Sequence, residues 1–177
     1  MTPCLVGLLD MNGMELEARF QLTEEWLLTG AFARNYTEFV EGTCNLCVTF
    51  GATATNQDHL GNQSHWTPEF TGSATATYTR PVFGGSMDGF VRGEYLYEST
   101  KYATEANVYE TGDRNMVNLR FGVEAEGYRV EAYVTNLFDD DTYYYVSINT
   151  DLDNFGRAFV AGLPQKRAFG VRGTYRF

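Results

Sequence analysis

The chain has 177 residues and a net charge of −10, with 15% aromatic and 20% charged residues. This charge argues against a nucleic-acid-binding protein, which needs a basic face for the phosphates. The longest early apolar run, Leu5 to Leu9, is far shorter than the roughly 20 residues of a helical membrane span. The abundance of Tyr, Phe, Thr and Gly instead favours β structure.

Seven segments alternate apolar and polar residues with a period of two, which predicts strands with one apolar and one wet face. The clearest is MELEARFQL, where Leu16 and Phe20 share one face and Glu15 and Arg19 the other. In chain order the predicted strands are residues 14–22, 26–39, 70–78, 89–98, 116–125, 128–135 and 168–177. An extension of the sixth strand through residues 143–146 stays open.

The predicted connections alternate between short and long. Residues 23–25, 81–88 and 126–127 are short turns, whereas residues 40–67, 99–114 and 139–166 are long polar loops. Outer-membrane barrels have this asymmetry, and strands of about ten residues suffice to cross a bilayer when tilted. A soluble β-sandwich gives the same alternation along each strand and stays open as an alternative, although its loops are less lopsided.

Three segments, in order and spacing, resemble the last third of TonB-dependent outer-membrane receptors. NGMELEARFQL carries the Gly-x-Glu pattern of Gly13 and Glu15, and GVRGTYRF ends the chain on Phe177. The third segment, EAYVTNLFDDDTYY, contains the Asn-Leu-Phe-Asp motif, which consists of Asn136, Leu137, Phe138 and Asp139. The resemblance implies an all-β fold, an antiparallel transmembrane barrel segment formed by about seven final strands of a barrel of about 22 strands.

The resemblance divides the chain into an unmatched segment, residues 1–11, and a barrel portion, residues 12–177. The beginning of the chain, MTPCLVGLLD, lacks the basic and apolar regions of a secretory signal. Seven strands cannot close a single-chain barrel, which has an even strand number in bacteria. We therefore expect a fragment of a longer protein, whose signal, plug domain and energy-coupling region lie before these strands.

For the intact protein, the resemblance implies energy-coupled uptake of a scarce ligand across the outer membrane of a Gram-negative bacterium. The ligand classes are siderophores, metal complexes, cobalamin and oligosaccharides. The implied partners are outer-membrane lipid, lipopolysaccharide, the outer-membrane assembly machinery and TonB, the last only through the preceding regions; no cofactor, nucleic acid or enzymatic activity is implied. The alternatives are a small self-contained outer-membrane barrel, structural or adhesive, and a soluble β-sandwich binding module.

The pattern C-x2-C-x11-H-x5-H, formed by Cys44, Cys47, His59 and His65, is close to the ligand spacing of zinc fingers. It lies in an acidic chain, in a Gly- and Thr-rich loop without the basic helix of a finger. We therefore favour a disulfide between Cys44 and Cys47 in an oxidising exterior, with free thiols and a metal site as the alternatives. No metal-binding or catalytic set is predicted.

The remaining candidates are aromatic or acidic residues near the strand ends. Tyr144 and Phe155 are candidates for ligand contact, with membrane-interface anchoring as the alternative for the tyrosine. Residues 151–156 resemble a calcium loop but lack ligands at two positions, so we interpret them as a solvated loop. Tyr175 and Phe177 resemble the signal read by the assembly machinery, and the alternative is a plain apolar strand end.

Overall fold

The computed structural model describes residues 7–42, 59–150 and 157–177, and these residues form β-strands with one short 3-10 turn. The strands are β1 (Gly7–Gln21), β2 (Trp26–Gly42), β3 (Phe70–Val82), β4 (Met87–Glu98), β5 (Arg114–Ala125), β6 (Tyr128–Thr135), β7 (Val146–Thr150), β8 (Arg157–Ala161) and β9 (Ala168–Tyr175). The 3-10 turn is Phe83–Gly85. Within these ranges the chain has no helix with the length and apolar character needed to span a bilayer.

Seven of the strands form one antiparallel sheet in the order β1-β2-β3-β4-β5-β6-β9. Each strand therefore lies beside its neighbour along the chain, and β7 and β8 form a separate hairpin between β6 and β9. The prediction of an all-β fold with about seven antiparallel strands is confirmed. The sheet is open, with β1 at one edge and β9 at the other.

The strand register collects apolar side chains into rows on one face. One such row crosses six strands and consists of Trp26, Tyr78, Val91, Phe121, Ala132 and Val171. The neighbouring row points to the opposite face and contains polar residues, because successive side chains on a strand alternate between faces. There Gly122 lies opposite Glu131, and a side chain on Gly122 would meet the backbone of Val130.

The burial pattern is the reverse of that in a water-soluble protein. On the apolar face Phe121 is 58% exposed and Val171 76% exposed, whereas on the polar face Glu131 is only 3% exposed. The sandwich alternative requires the apolar face to pack against a second sheet. In the described parts of the chain nothing covers this face, which leaves it available to an apolar phase outside the protein.

The two ends of the sheet differ in their connections. Residues 22–25, 83–86 and 126–127 join strands at one end, whereas the described residues 59–69, 99–113, 136–150 and 157–167 lie at the other. Glycines make the turn after β3 possible, because Gly84 and Gly85 have φ values of 72° and 89°. The alternation of short and long connections therefore follows the prediction, and we call the end with the long connections the loop end.

Several predicted boundaries differ from the structure by a few residues, and three differences are larger. The first strand begins at Gly7 rather than at residue 14, since its early residues pair with the far end of β2. The sixth strand ends at Thr135 and does not extend to residue 146, because Asn136 adopts a left-handed φ of 50°. The predicted loop 139–166 contains the hairpin of β7 and β8, whose strands of five residues were too short to predict.

Candidate ligand-binding site

The Asn-Leu-Phe-Asp motif forms a tight turn at the loop end, immediately after β6. Asn136 is 1% exposed, and its Nδ2 donates to the carbonyl oxygens of Asp140 at 2.9 Å and Gln165 at 2.7 Å. Its Oδ1 accepts from the Asp140 amide at 2.8 Å, and its own amide donates to Oδ1 of Asn118 at 3.0 Å. Asparagine suits the left-handed backbone here better than most residues, so this side chain satisfies both the turn and its neighbours.

The other motif residues attach the turn to the strands on both sides. The amide of Leu137 donates to the carbonyl of Val117 at 2.8 Å. Oδ1 of Asp139 accepts from the backbone amide of Arg167 at 2.8 Å, and the Arg167 guanidinium donates to the carbonyl of Leu137 at 3.1 Å. Phe138 projects outward and is 74% exposed. The turn thus connects β5, β6 and the segment that enters β9.

Asp140 organises the segment that follows the turn. Its carboxylate accepts from the backbone amides of Asn115 and Thr142, each at 3.0 Å. Partial burial raises the pKa of Asp140, but these two amides, the Thr142 hydroxyl and the charge of Arg114 outweigh it and lower the pKa below its ordinary value. Asp140 is therefore an ionised carboxylate that fixes the path of the chain toward Tyr144.

Tyr144 lies over two cationic side chains. Nζ of Lys101 is 5.2 Å from the centroid of the Tyr144 ring, and Cζ of Arg114 is 5.1 Å from it. Nζ of Lys101 also donates to the carbonyl of Tyr144 at 3.1 Å and pairs with Glu98 at 2.6 Å. Cations at these distances are attracted by the electron-rich face of an aromatic ring, so the orientation of the exposed ring is defined.

A cavity of about 200 Å³ opens beside this tyrosine. Its lining residues come from β5, the turn and the end of the long connection: Arg114, Met116, Asn136, Asp140, Thr142, Tyr144, Leu163, Pro164 and Gln165. It offers an aromatic ring, a cation, a carboxylate and apolar surface. A concave site with a few convergent polar groups is the usual form of a small-molecule site.

The described residues of the long connections, 59–69, 99–113, 136–150 and 157–167, contact one another and form a cap that includes the site. Nε1 of Trp66 donates to the carbonyl of Val146 at 3.1 Å, and the ring centroids of Tyr109 and Phe159 are 3.5 Å apart. Nδ2 of Asn62 donates to the carbonyl of Glu105 at 2.8 Å. The three connections are therefore joined to one another above the sheet.

The two histidines of the Cys/His pattern lie in this cap. His59 is fully buried with its ring 5.3 Å from Phe39, and Nδ1 of His65 is 3.1 Å from a carboxylate oxygen of Glu105. Within the described residues, no group of three or more His, Cys, Asp or Glu side chains is arranged to hold a metal ion. Cys44 and Cys47 lie outside those residues, so their disulfide stays a prediction.

The other predicted residues are distributed over the sheet. Gly13 and Glu15 lie on β1 opposite Asn35 and Ala33, and a side chain at Gly13 would contact the carbonyl of Arg34. Tyr175 and Phe177 are exposed at the end of the chain, with ring centroids 6.4 Å apart. The structure thus brings Asn136 and Tyr144 to one cavity, while Phe155 and the predicted solvated loop 151–156 lie outside the described residues.

A charged cluster on the polar face was not predicted from the sequence. Glu131 lies within 2.8 Å of Arg129, 3.9 Å of Arg120 and 3.7 Å of Arg172, measured between carboxylate oxygens and guanidinium nitrogens. These residues come from three adjacent strands. The period of two in the sequence predicted a polar face and places Arg129 beside Glu131 on the same strand. Only the strand register brings Arg120 and Arg172 to the same carboxylate.

Comparison with known proteins agrees with this architecture. The family described as TonB dependent receptor-like, beta-barrel matches residues 6–137. The chain belongs to this family. The match begins inside the segment 1–11 that we expected to be unmatched, and the domain boundaries stay a prediction.

Solved receptor structures share the fold of this family member. The ferric yersiniabactin uptake receptor FyuA from Yersinia pestis has 19% identity and a TM-score of 0.74, over 94% of this chain. Two Acinetobacter baumannii proteins, the siderophore receptor PiuA and the ferric preacinetobactin receptor BauA, have 17% and 15% identity with TM-scores of 0.70 and 0.63, each over 95% of this chain. The chain spans only 23%, 22% and 22% of these three proteins, respectively. All three are named as receptors, not enzymes.

Proposed function

We propose that the chain is the C-terminal part of the barrel of an outer-membrane receptor for energy-coupled ligand uptake. The observation that carries this proposal is the family match over residues 6–137. The exposed apolar face of the sheet suits contact with lipid, as in outer-membrane barrels, whose lipid-facing side is apolar and whose interior is polar. Outer-membrane barrels have short periplasmic turns and long extracellular loops, so the loop end faces the exterior of the cell.

We infer the partners from the family and from this orientation. Lipid surrounds the apolar face, and lipopolysaccharide meets the loop end. TonB acts through regions N-terminal to this chain. The exposed aromatic side chains of Tyr175 and Phe177 form the end that the assembly machinery reads.

The ligand class that we propose is a ferric siderophore, since the three compared receptors are named for siderophores or their iron complexes. Siderophore complexes present anionic and aromatic groups. The cavity beside Tyr144 offers Arg114 to the former and the tyrosine ring to the latter. We infer that Tyr144 contacts the ligand at the external side of the barrel.

Uptake by whole cells tests this function. A strain lacking the receptor would be complemented with the full-length receptor and given radio-iron complexes of yersiniabactin and preacinetobactin, with labelled cobalamin as a different ligand class. We expect uptake of a ferric siderophore that stops when the proton-motive force is collapsed. No energy-dependent uptake of any probe, with the receptor present in the outer membrane, would contradict the proposal and favour a structural or adhesive barrel.

Two tyrosine variants then test the site. Tyr144→Ala should weaken binding about tenfold, which corresponds to about 1.4 kcal/mol, without lowering the amount of receptor in the outer membrane. Tyr143→Ala is the matched control, because Tyr143 is similarly exposed but does not line the cavity. Equal affinities for the two variants would show that the ligand does not touch Tyr144.

A further inference from the structure

A single buried side chain joins the two residues that flank segment 141–164, of which the structure describes residues 141–150 and 157–164. Nδ2 of Asn136 donates to Asp140, just before this segment, and to Gln165, just after it. Both donor positions of the amide are used, and its oxygen accepts from the Asp140 amide. Because the side chain is almost completely buried, loss of its donors would leave the two carbonyl oxygens without these partners.

A short path of contacts leads from this closure to the candidate site. Asp140 accepts from the amide of Thr142, and the Thr142 hydroxyl donates to the carbonyl of Asp113 at 3.1 Å. The amide of Tyr144 donates to the carbonyl of Gly162 at 3.1 Å, across the two arms of the segment. The position of the Tyr144 ring over its two cations therefore depends on how the two arms are held together.

We propose that Asn136 is a positioning residue, which clamps the two ends of segment 141–164 and so holds Tyr144 at the cavity. Its effect on ligand binding rests on the proposed function, whereas its effect on the segment does not. A closed base limits the conformations open to the segment before a ligand arrives. Such preorganisation strengthens binding by lowering the entropy lost on association.

The clamp can be separated from the backbone requirement of the turn. Asn136 has a left-handed φ of 50°, which Asp also tolerates. In Asn136→Asp one carboxylate oxygen can still accept from the Asp140 amide. The other then faces the two carbonyl oxygens that Nδ2 had bound, so the donors are lost and a buried negative charge is added. Asn136→Gly removes the whole side chain without straining the backbone.

Hydrogen exchange of the full-length receptor in detergent tests the clamp directly. In Asn136→Asp we expect the amides of Thr142 and Tyr144 to exchange at least tenfold faster, with the amides of β2 and β3 unchanged. Phe138→Ala is the matched control, since Phe138 belongs to the same turn but projects away from it. This control should leave the exchange of segment 141–164 as it is in the unmodified receptor.

A second readout follows the tyrosine itself. In receptor labelled with 3-fluorotyrosine, the fluorine resonance of Tyr144 is assigned by its loss in Tyr144→Phe. It should shift in Asn136→Asp and Asn136→Gly but not in Phe138→Ala. A general loss of structure would move the resonances of strand tyrosines such as Tyr78 and Tyr95 as well.

Specific results would overturn the proposal. Unchanged exchange at Thr142 and Tyr144 in an assembled Asn136→Asp receptor would show that the turn acts only locally. Failure of both Asn136 variants to assemble would make Asn136 a folding determinant instead of a positioning residue. If no probe is taken up but exchange responds as expected, the proposed function fails while the clamp stands.

Discussion

The two faces of the sheet formed by β5, β6 and β9 are stabilised in opposite ways. The apolar face carries Phe121 and Val171 with no protein cover in the described residues, so its stability depends on the surrounding phase. The polar face buries Glu131 and satisfies it with three arginines of the same sheet. The first face can be perturbed by introducing a charge, whereas the second can be perturbed by removing one.

The largest effect is expected on the polar face. Glu131→Ala would leave three guanidinium groups without their shared carboxylate. Breaking a buried ion pair in this way costs about 3–5 kcal/mol, and we expect about 3 kcal/mol because the arginines are partly exposed. The free energy of unfolding of the receptor in detergent, measured with denaturant, would report this loss.

Glu124→Ala is the control for this prediction. Glu124 pairs with Arg129 at 3.2 Å and Arg176 at 3.6 Å, but its side chain is about a third exposed, and Arg129 keeps its bond to Glu131. An exposed pair contributes about 0–1 kcal/mol. If the two alanine variants were equally stable, the polar face would not depend on the buried carboxylate.

On the apolar face, Phe121→Arg should destabilise the receptor in lipid by about 2–3 kcal/mol, because an arginine that faces lipid hydrocarbon is poorly solvated. The amount of assembled receptor in the outer membrane and its unfolding in lipid vesicles would both show this. Ser73→Arg places the same charge on the polar face and is the control. Equal losses for the two variants would mean that the apolar face does not meet lipid.

The sequence predicted these faces because apolar and polar side chains alternate with a period of two within each strand. Leu119, Phe121 and Val123 point one way whatever lies beside them, so the seven strands and their apolar face could be inferred. The cluster around Glu131 could not be, since it depends on which residues of β5, β6 and β9 lie opposite each other. Alternation alone does not specify that register.

The candidate site was only partly predictable for a similar reason. The resemblance marked Asn136, Leu137, Phe138 and Asp139 as a motif but did not show which of them the structure uses as a clamp. Tyr144 was a candidate because it is aromatic and close to a loop. Its cations, Lys101 and Arg114, come from another connection and from β5, and no local pattern joins them to it.

At the loop end the carboxylate of Asp140 is held mainly by backbone amides, whereas that of Glu131 is held by arginines. The pKa of Asp140 in the folded chain is lower than the ordinary value of 3.8. As the pH falls, the unfolded chain therefore takes up the proton before the folded one. The stabilisation by Asp140 is fully present well above pH 3.8 and is lost as the pH falls through the lowered pKa.

This pH dependence is the smallest predicted effect, since it concerns one partly exposed segment. After correction for intrinsic exchange rates, the amide of Thr142 should stay protected from neutral pH to about pH 4 and lose protection below it. Asp140→Asn should remove the dependence, because the neutral amide does not titrate, whereas Asp141→Asn, at an exposed neighbour, should keep it. An unchanged acid response in Asp140→Asn would assign the effect to another carboxylate. Asp113 is then the one to test, since the amide and hydroxyl of Thr100 lower its pKa.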